Sequence, residues 1–204
     1  MVESSVTTSS SLLQRMIRAA RLEPDLYEEV ESDRTAMRDA AIVVVIASIA
    51  SGIGQALTAA TVAPGIEGMP RTHPVVALLA GVIGGLLGWL IWSYVTWFIG
   101  TKLFSGSATP GELMRTLGFA NTPNIFSILA FVPGIGPLLI FAAGVWSLVA
   151  GVVAVRQALD FDTGKAILTT IIGWLALLLI PFLLGLIIAA LVIGAVGASG
   201  GFGS

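Results

Sequence analysis

Long runs of apolar residues dominate the chain and alternate with short polar segments. A helix needs about 20 apolar residues to cross the hydrocarbon core of a bilayer. By this measure we expect an all-α, polytopic membrane bundle with a polar N-terminal tail at 1–37 and a flexible tail at 197–204. The five membrane-crossing helices that the runs predict lie at about 38–60, 74–100, 115–132, 138–155 and 165–196.

The N-terminal tail contains the pattern of a short amphipathic helix at about 11–22. Ser11 and Gln14 match a capping box at its start. One face is apolar, and the other carries the arginines Arg15, Arg18 and Arg21. We expect these arginines to lie at the membrane interface and to meet anionic lipid; alternatively, the helix packs against the ends of the bundle. We interpret the acidic segment 25–31 as a solvated stretch whose apolar residues could dock on the bundle or on a partner.

Basic residues lie almost entirely on one side of the predicted bundle. Of the ten lysines and arginines, only Arg71 falls in the loops of the opposite side. The positive-inside rule therefore places the N-terminus in the cytoplasm and the C-terminus outside. If the third and fourth segments form a re-entrant hairpin instead of two crossings, the orientation is unchanged, because such a hairpin enters and leaves on one side.

Small residues follow a regular spacing in the second predicted crossing. Two overlapping G-x-x-x-G patterns are formed by Gly81, Gly84, Gly85 and Gly88. Glycines allow a neighbouring helix to approach closely and to gain dispersion contacts. We predict that these glycines pack against another helix of the same chain; the alternative is a homodimer.

Polar residues interrupt the third predicted crossing at Asn121, Thr122, Pro123 and Asn124. Pro123 cannot donate a backbone hydrogen bond and leaves a carbonyl free one turn earlier. The amides either satisfy such carbonyls and neighbouring helices or form a polar binding site at a broken helix, as in transporters. No ionisable residue accompanies them, which favours the first interpretation over an ion or proton relay.

The composition narrows the classes of function. Only 11% of the residues are charged, against about 25% in soluble domains, so the apolar surface must face lipid. The chain has no cysteine, a single histidine and a net charge of -2. We therefore expect no metal, no cofactor and no nucleic-acid partner, and we find no motif of an enzyme active site.

Several local segments resemble the Yip1-domain family, over about residues 20–195. The matching segments include Asp25–Tyr27, Thr96–Gly100, Gly111–Ala120 and Phe161–Ala166. This resemblance implies a membrane domain of five helices with its N-terminus inside. The short tail is most similar to those of prokaryotic members, which implies the cytoplasmic membrane of a prokaryote.

These observations lead to one main hypothesis and two alternatives. The main hypothesis is a non-enzymatic membrane scaffold or adaptor that binds protein partners or shapes the bilayer. The first alternative is a small-molecule transporter or channel that uses the Asn121–Asn124 break. The second is an accessory subunit of a larger membrane complex. The expected partners are the lipid bilayer and other membrane proteins or a second copy of the chain.

Overall fold

A computed structural model describes residues 11–62 and 74–200, and these residues contain helices and no strands. The seven α-helices and one 3-10 helix are α1 (Leu12–Ala20), α2 (Pro24–Ser32), α3 (Ala36–Val62), α4 (Pro74–Leu103), α5 (Pro110–Ala120), the 3-10 helix (Thr122–Phe131), α6 (Gly136–Ala158) and α7 (Thr163–Gly200). The predicted all-α class is therefore confirmed.

The capping box predicted at the start of α1 is present. The Ser11 hydroxyl accepts a hydrogen bond from the Gln14 backbone N–H, and the Gln14 side chain accepts one from the Ser11 N–H. The chain then turns at Leu22, whose φ is 62°, and Pro24 opens α2 in the first helical turn, where its missing N–H has no cost. The acidic segment is thus a helix: its Leu26 and Tyr27 are fully buried, as the predicted docking of its apolar residues on the bundle requires, while Asp25 and Glu28 are exposed.

The buried core lies where α1 and α2 meet α3, α5 and α6. Its largest fully buried side chains include Tyr27, Phe119, Leu113 and Val43. Away from this core, large apolar side chains of the long helices face outwards, including Ile83 at 58% exposure. An outer surface of this kind is stable in lipid, where exposed apolar side chains carry no penalty.

Three described helices are long and apolar enough to cross a membrane. They cover Ala36–Thr58, Gly81–Leu103 and Gly136–Ala158, and a shorter apolar helix covers Thr163–Ala176. The expected count of five crossings is not confirmed. The last helix, α7, continues to Gly200, so residues 197–200, predicted as part of a flexible tail, are helical. Residues 1–10, 63–73 and 201–204 lie outside the described part.

The third predicted segment is built from two helices of different type. The α-helical part ends at Ala120, and a 3-10 helix begins at Thr122. The change occurs at the predicted interruption, because Pro123 removes a donor from the i→i−4 ladder. A loop of four residues, 132–135, then leads into α6.

Candidate functional site

Arg15 organises the contact between α1, α2 and the start of α3. Its side chain is 10% exposed, and its three nitrogens lie 3.0 Å from Glu29, 2.9 Å from Asp33 and 3.2 Å from Asp39. Hydrogen bonds from Thr35 and Arg15 hold the pKa of Asp33 below its usual range. The guanidinium is therefore neutralised inside the protein by three different carboxylates.

The other two arginines of the predicted amphipathic segment, Arg18 in α1 and Arg21 just after it, have different surroundings. Arg18 pairs with Glu23 at 3.0 Å and with Glu29 at 2.6 Å, whereas Arg21 is exposed. The structure thus places Arg15 and Arg18 on carboxylates of the chain. The sequence showed both charge signs in this region, but the pairing depends on how α2 folds back on α1.

The helices α1 and α2, hereafter the α1–α2 pair, are also tied to α5. Arg115 is 7% exposed. Its Nε donates to the Val30 carbonyl at 2.9 Å, and its Nη2 donates to the Glu31 carbonyl. These are carbonyls at the C-terminal end of α2, which have no partner within the helix. The buried Tyr27 hydroxyl donates to the Ala19 carbonyl at 3.2 Å, and burial raises the pKa of Tyr27.

Two side chains of α6 contact the α1–α2 pair. The Trp146 Nε1 donates to the Ala20 carbonyl at 2.8 Å, and the Gln157 Nε2 donates to Glu28 at 2.9 Å. The pair therefore lies alongside the C-terminal half of α6. The amphipathic α1 meets the bundle with Met16 and Ala19, while Leu13 and Ile17 remain exposed, so it has one face on the bundle and an apolar ridge facing outwards.

A polar cavity of about 450 Å³ opens between α2 and the C-terminal end of α6. It is lined by Glu28, Glu31, Ser32, Arg156, Gln157, Asp160 and Phe161. Sequence reasoning did not find this site, because its two halves are more than a hundred residues apart. Within the cavity, Asp160 adopts a φ of 54°, a left-handed conformation that aspartate tolerates better than most residues.

Glu31 has the most perturbed carboxyl group of this cavity. Burial raises its pKa to about 7, and the carboxylates of Glu112, Asp160 and Glu28 add to the shift, while Arg115 opposes it. The cavity therefore changes its charge near neutral pH, since the burial of a carboxyl group favours its protonated form.

The substitution Glu31→Gln is expected to remove a pH dependence of thermal stability. Because the folded state holds this proton up to a pKa of about 7, above the ordinary 4.5, the carboxyl contributes stability that is lost as the pH rises from about 5 to 8. We expect the melting temperature in detergent, followed by circular dichroism, to fall over this range in the wild type and to fall less in Glu31→Gln. Asp25→Asn, an exposed carboxylate of the same helix, is the control. An equal fall in all three proteins would contradict the assignment.

The polar break begins with side chains that bind the end of α5. The Asn121 Nδ2 donates to the Leu117 carbonyl at 2.9 Å, and the Thr122 hydroxyl donates to the Phe119 carbonyl at 2.7 Å. These carbonyls lie where Pro123 prevents the helix from continuing. Both hydrogen bonds stay within the chain and satisfy carbonyls near the break, which is what the first interpretation of the polar residues describes.

Asn124 links the break to α6. Its Nδ2 lies 3.2 Å from both the Asn121 Oδ1 and the Ser147 hydroxyl. The Ser147 hydroxyl in turn donates to the Ala120 carbonyl at 2.8 Å. Residues 120–124 are therefore joined to α6 at Ser147 by a short chain of hydrogen bonds; the sequence suggested contacts with a neighbouring helix but did not identify Ser147 as the partner.

A second cavity, of about 200 Å³, lies beside this break. It is lined by Ala47, Ser48, Ser51, Gly52, Gln55, Gly81, Gly85, Asn121 and Asn124. The lining combines hydroxyl and amide groups from α3 and the break with glycines of α4. Such a cavity is able to hold a small polar molecule by hydrogen bonds but provides no charge to hold an ion.

The four glycines predicted to pack occupy different surroundings. A Cβ added at Gly85 would lie 1.9 Å from the Ser48 hydroxyl of α3, whereas one added at Gly81 or Gly84 would meet nothing within 4 Å. Gly88 is half-buried. The structure therefore brings only Gly85, among the three glycines with a described Cβ environment, close to a neighbouring helix. The metal-ligating side chains of the described residues form no group able to hold a metal, and His73 lies outside those residues.

Comparison with known proteins adds one finding to this geometry. A family model described as the Yip1 domain matches residues 23–185, which is most of the chain and includes α2, both cavities and the polar break. No curated protein and no solved structure matches the chain significantly. With the long apolar helices, the match identifies an integral membrane protein, and the chain belongs to the Yip1 domain family.

Proposed function

We propose that this protein is a non-enzymatic membrane scaffold or adaptor that binds protein partners, or shapes the bilayer, on its cytoplasmic side. In the proposed topology the N-terminus is inside, the C-terminus is outside, and five segments are inserted in the cytoplasmic membrane of a prokaryote. The support is the distribution of the basic residues, with Arg71 as the single one on the outer side. Membership of the Yip1 domain family supports a role without catalysis.

The observation that carries the proposal is the polar surface that the α1–α2 pair forms with α6. Arg15 and Arg115, two residues that are 8% and 7% exposed, hold the pair in one arrangement. The cavity beside it is lined mostly by polar and charged groups. A surface held in place in this way loses little conformational entropy when a partner binds, which favours recognition.

Site-specific photocrosslinking tests this function. We expect p-benzoylphenylalanine in place of Ser32, which lines the cavity, to give an adduct of one discrete mass in membranes. The same group in place of Arg34, which is exposed outside the cavity lining, is the matched control and should give none. The charge reversal Glu28→Lys, placed in the Ser32 variant, should abolish the adduct. A monodisperse monomer without adducts and without effect on liposome shape would contradict the proposal.

A small-molecule transporter or channel is the second candidate, because the polar cavity beside the break contains Asn121 and Asn124. If this cavity lies on a transport path, Asn121→Leu and Asn124→Leu should lower the flux of small polar solutes into proteoliposomes at least tenfold. Gly84→Ala, at an exposed site with nothing within 4 Å, is the control. Flux that the two leucine variants leave unchanged would exclude this path.

An accessory subunit of a larger complex is the third candidate. Such a subunit would use the same partner-binding surface as a scaffold. It would differ from a scaffold in the stoichiometry with which it binds its partner. Quantitative co-purification in mild detergent distinguishes the two. A fixed ratio to one partner indicates a subunit, and a variable set of partners indicates an adaptor.

A further inference from the structure

Buried polar side chains line the contact between α4 and α7. All five are at most 6% exposed, and they are Trp92, Ser93 and Thr96 of α4 with Thr169 and Thr170 of α7. The indole nitrogen and the four hydroxyl oxygens have no hydrogen-bond partner among the described residues. We refer to these five side chains as the α4–α7 polar seam.

Two glycines show which way the seam faces. A Cβ added at Gly173 of α7 would collide with the Thr96 hydroxyl and would lie 3.4 Å from the Trp92 Nε1. A Cβ added at Gly151 of α6 would lie 2.9 Å from the Trp92 ring and 3.5 Å from the Thr170 methyl group. Three helices therefore meet at Trp92, and its indole nitrogen and the Thr96 hydroxyl both lie against the backbone of α7.

Helical spacing places the other two members of the seam in the same contact. Ser93 lies three residues before Thr96, and Thr169 lies four residues before Gly173. Residues with this spacing share one face of a helix. Since Ser93 and Thr169 are also fully buried, all five polar side chains belong to one contact.

Other buried or half-buried threonines of the chain bond within their own helix. The Thr101 hydroxyl of α4 donates to the Trp97 carbonyl at 2.9 Å, and the Thr116 hydroxyl of α5 donates to the Glu112 carbonyl at 3.1 Å. A threonine inside a helix can form such a bond to the carbonyl one turn earlier. The threonines of the seam do not form it, so their hydroxyls are available to another molecule.

Polar groups without partners are costly at this position. Three of the five belong to Gly81–Leu103, a helix long and apolar enough to cross a membrane. A membrane offers no bulk water to such groups, and folded proteins leave few buried polar atoms unpaired. Five of them in one contact therefore indicate a bound molecule that pairs with them.

We propose that the α4–α7 polar seam is a binding site for small neutral molecules, with water as its ligand. The indole N–H only donates a hydrogen bond, whereas the hydroxyls both donate and accept, so the ligand must accept and can also donate. The five side chains carry no charge that would hold an ion. The close approach of Gly151 and Gly173 to the Trp92 ring excludes a large ligand.

The seam lies near the charged start of α7. Lys165 is exposed and precedes Thr169 by four residues, which is about 6 Å at 1.5 Å per residue. Water therefore has a short way to the site. Once bound, it joins α4 to α7 through hydrogen bonds that the two helices do not make directly.

The water site goes beyond the proposed function and is independent of it. None of the five side chains lines the cavity beside α2 or the cavity beside the polar break. A failure of this inference would leave the adaptor hypothesis untouched, because the photocrosslinking experiment concerns another surface.

Hydroxyl-radical footprinting by X-ray radiolysis in nanodiscs tests the site, since radicals formed from a bound water oxidise the side chain beside it. Trp89 is the matched control in the same helix. It is also 6% exposed, but its Nε1 donates to the Met114 carbonyl at 2.9 Å. Because buried water stays at the polar groups that it pairs with, we expect Trp92 to be oxidised about tenfold faster than Trp89.

The substitution Thr96→Val removes one hydroxyl of the seam and keeps the shape of the side chain. We expect it to slow the oxidation of Trp92 and to lower the melting temperature, because a bound water loses a partner. Thr116→Val is the control, since the Thr116 hydroxyl is fully buried and already bonded within α5. It should leave the oxidation of Trp92 unchanged.

Two results would overturn the proposal. The first is oxidation of Trp92 and Trp89 at the same rate, whether both react or neither does. The second is a higher melting temperature of Thr96→Val, since the replacement of an unpaired hydroxyl by a methyl group stabilises a dry contact. The comparison of the two tryptophans uses the wild-type protein, so it decides the question even if Thr96→Val does not fold.

Discussion

Arg15→Ala is expected to destabilise the α1–α2 pair by about 3 kcal/mol, because it leaves three carboxylates without their shared cation. This value is the lower end of the destabilisation expected when one partner of a buried ion pair is removed. The lower end applies because Glu29, Asp33 and Asp39 keep side-chain exposures of 27–34%. Amide hydrogen exchange of α1 and α2 in detergent, at constant pH, should become about a hundredfold faster. The helices α3 and α6 should retain most of their protection.

Arg21→Ala is the matched control for this experiment, because Arg21 directly follows α1 and is exposed. Its effect should be within about 0.5 kcal/mol, as for most surface substitutions. If Arg15→Ala and Arg21→Ala gave the same exchange rates, the carboxylate network would not hold the pair. A second variant, Arg15→Lys, should recover part of the loss, since lysine keeps the charge but not the fork of donors.

Gly54→Ala is expected to weaken the contact between α3 and the 3-10 helix by about 3 kcal/mol, at the upper end of typical overpacking costs. The added Cβ would lie 2.2 Å from the Ser127 carbonyl oxygen and 3.1 Å from the Ala130 Cβ. A backbone carbonyl cannot rotate away as a side chain does, so the two helices must separate. Thermal unfolding in detergent, followed by tryptophan fluorescence, should show a clear fall in melting temperature.

Gly84→Ala is the control for this glycine, since a Cβ at Gly84 would meet nothing within 4 Å. Alanine has the higher helix propensity, so stability should be unchanged or slightly higher, by up to about 1 kcal/mol. Equal melting temperatures for Gly54→Ala and Gly84→Ala would contradict the close approach of α3 to the 3-10 helix.

Local features of the sequence determined much of the secondary structure. The capping box of Ser11 and Gln14 predicted the start of α1, and both of its hydrogen bonds are present. Asp162 directly precedes the last helix and, as N-cap aspartates do, accepts a hydrogen bond from the Lys165 N–H at 3.0 Å. The polar residues at Asn121–Asn124 predicted an interruption, which is the change from α5 to the 3-10 helix. All three signals act within one helical turn, so they are readable without knowledge of the fold.

Long-range contacts were not predictable in the same way. The sequence placed Arg15 on a polar face, but its partner Asp39 lies 24 residues away on another helix. The cavity near Glu31 depends on α2 packing against α6, and the sequence left open whether the apolar residues of the acidic segment dock on the bundle or on a partner. The reason is that charges of both signs are plentiful near the N-terminus, and only the folded arrangement selects which of them meet.

By itself the sequence determined that the chain is helical and lies in a membrane, and that it resembles the Yip1 domain family, because apolar run length and local motifs are one-dimensional properties. Tertiary structure alone decided the partners of Arg15 and the environment of Glu31. These depend on how α2 folds back on α1 and packs against α6, and contacts between residues far apart along the chain are a property of the fold.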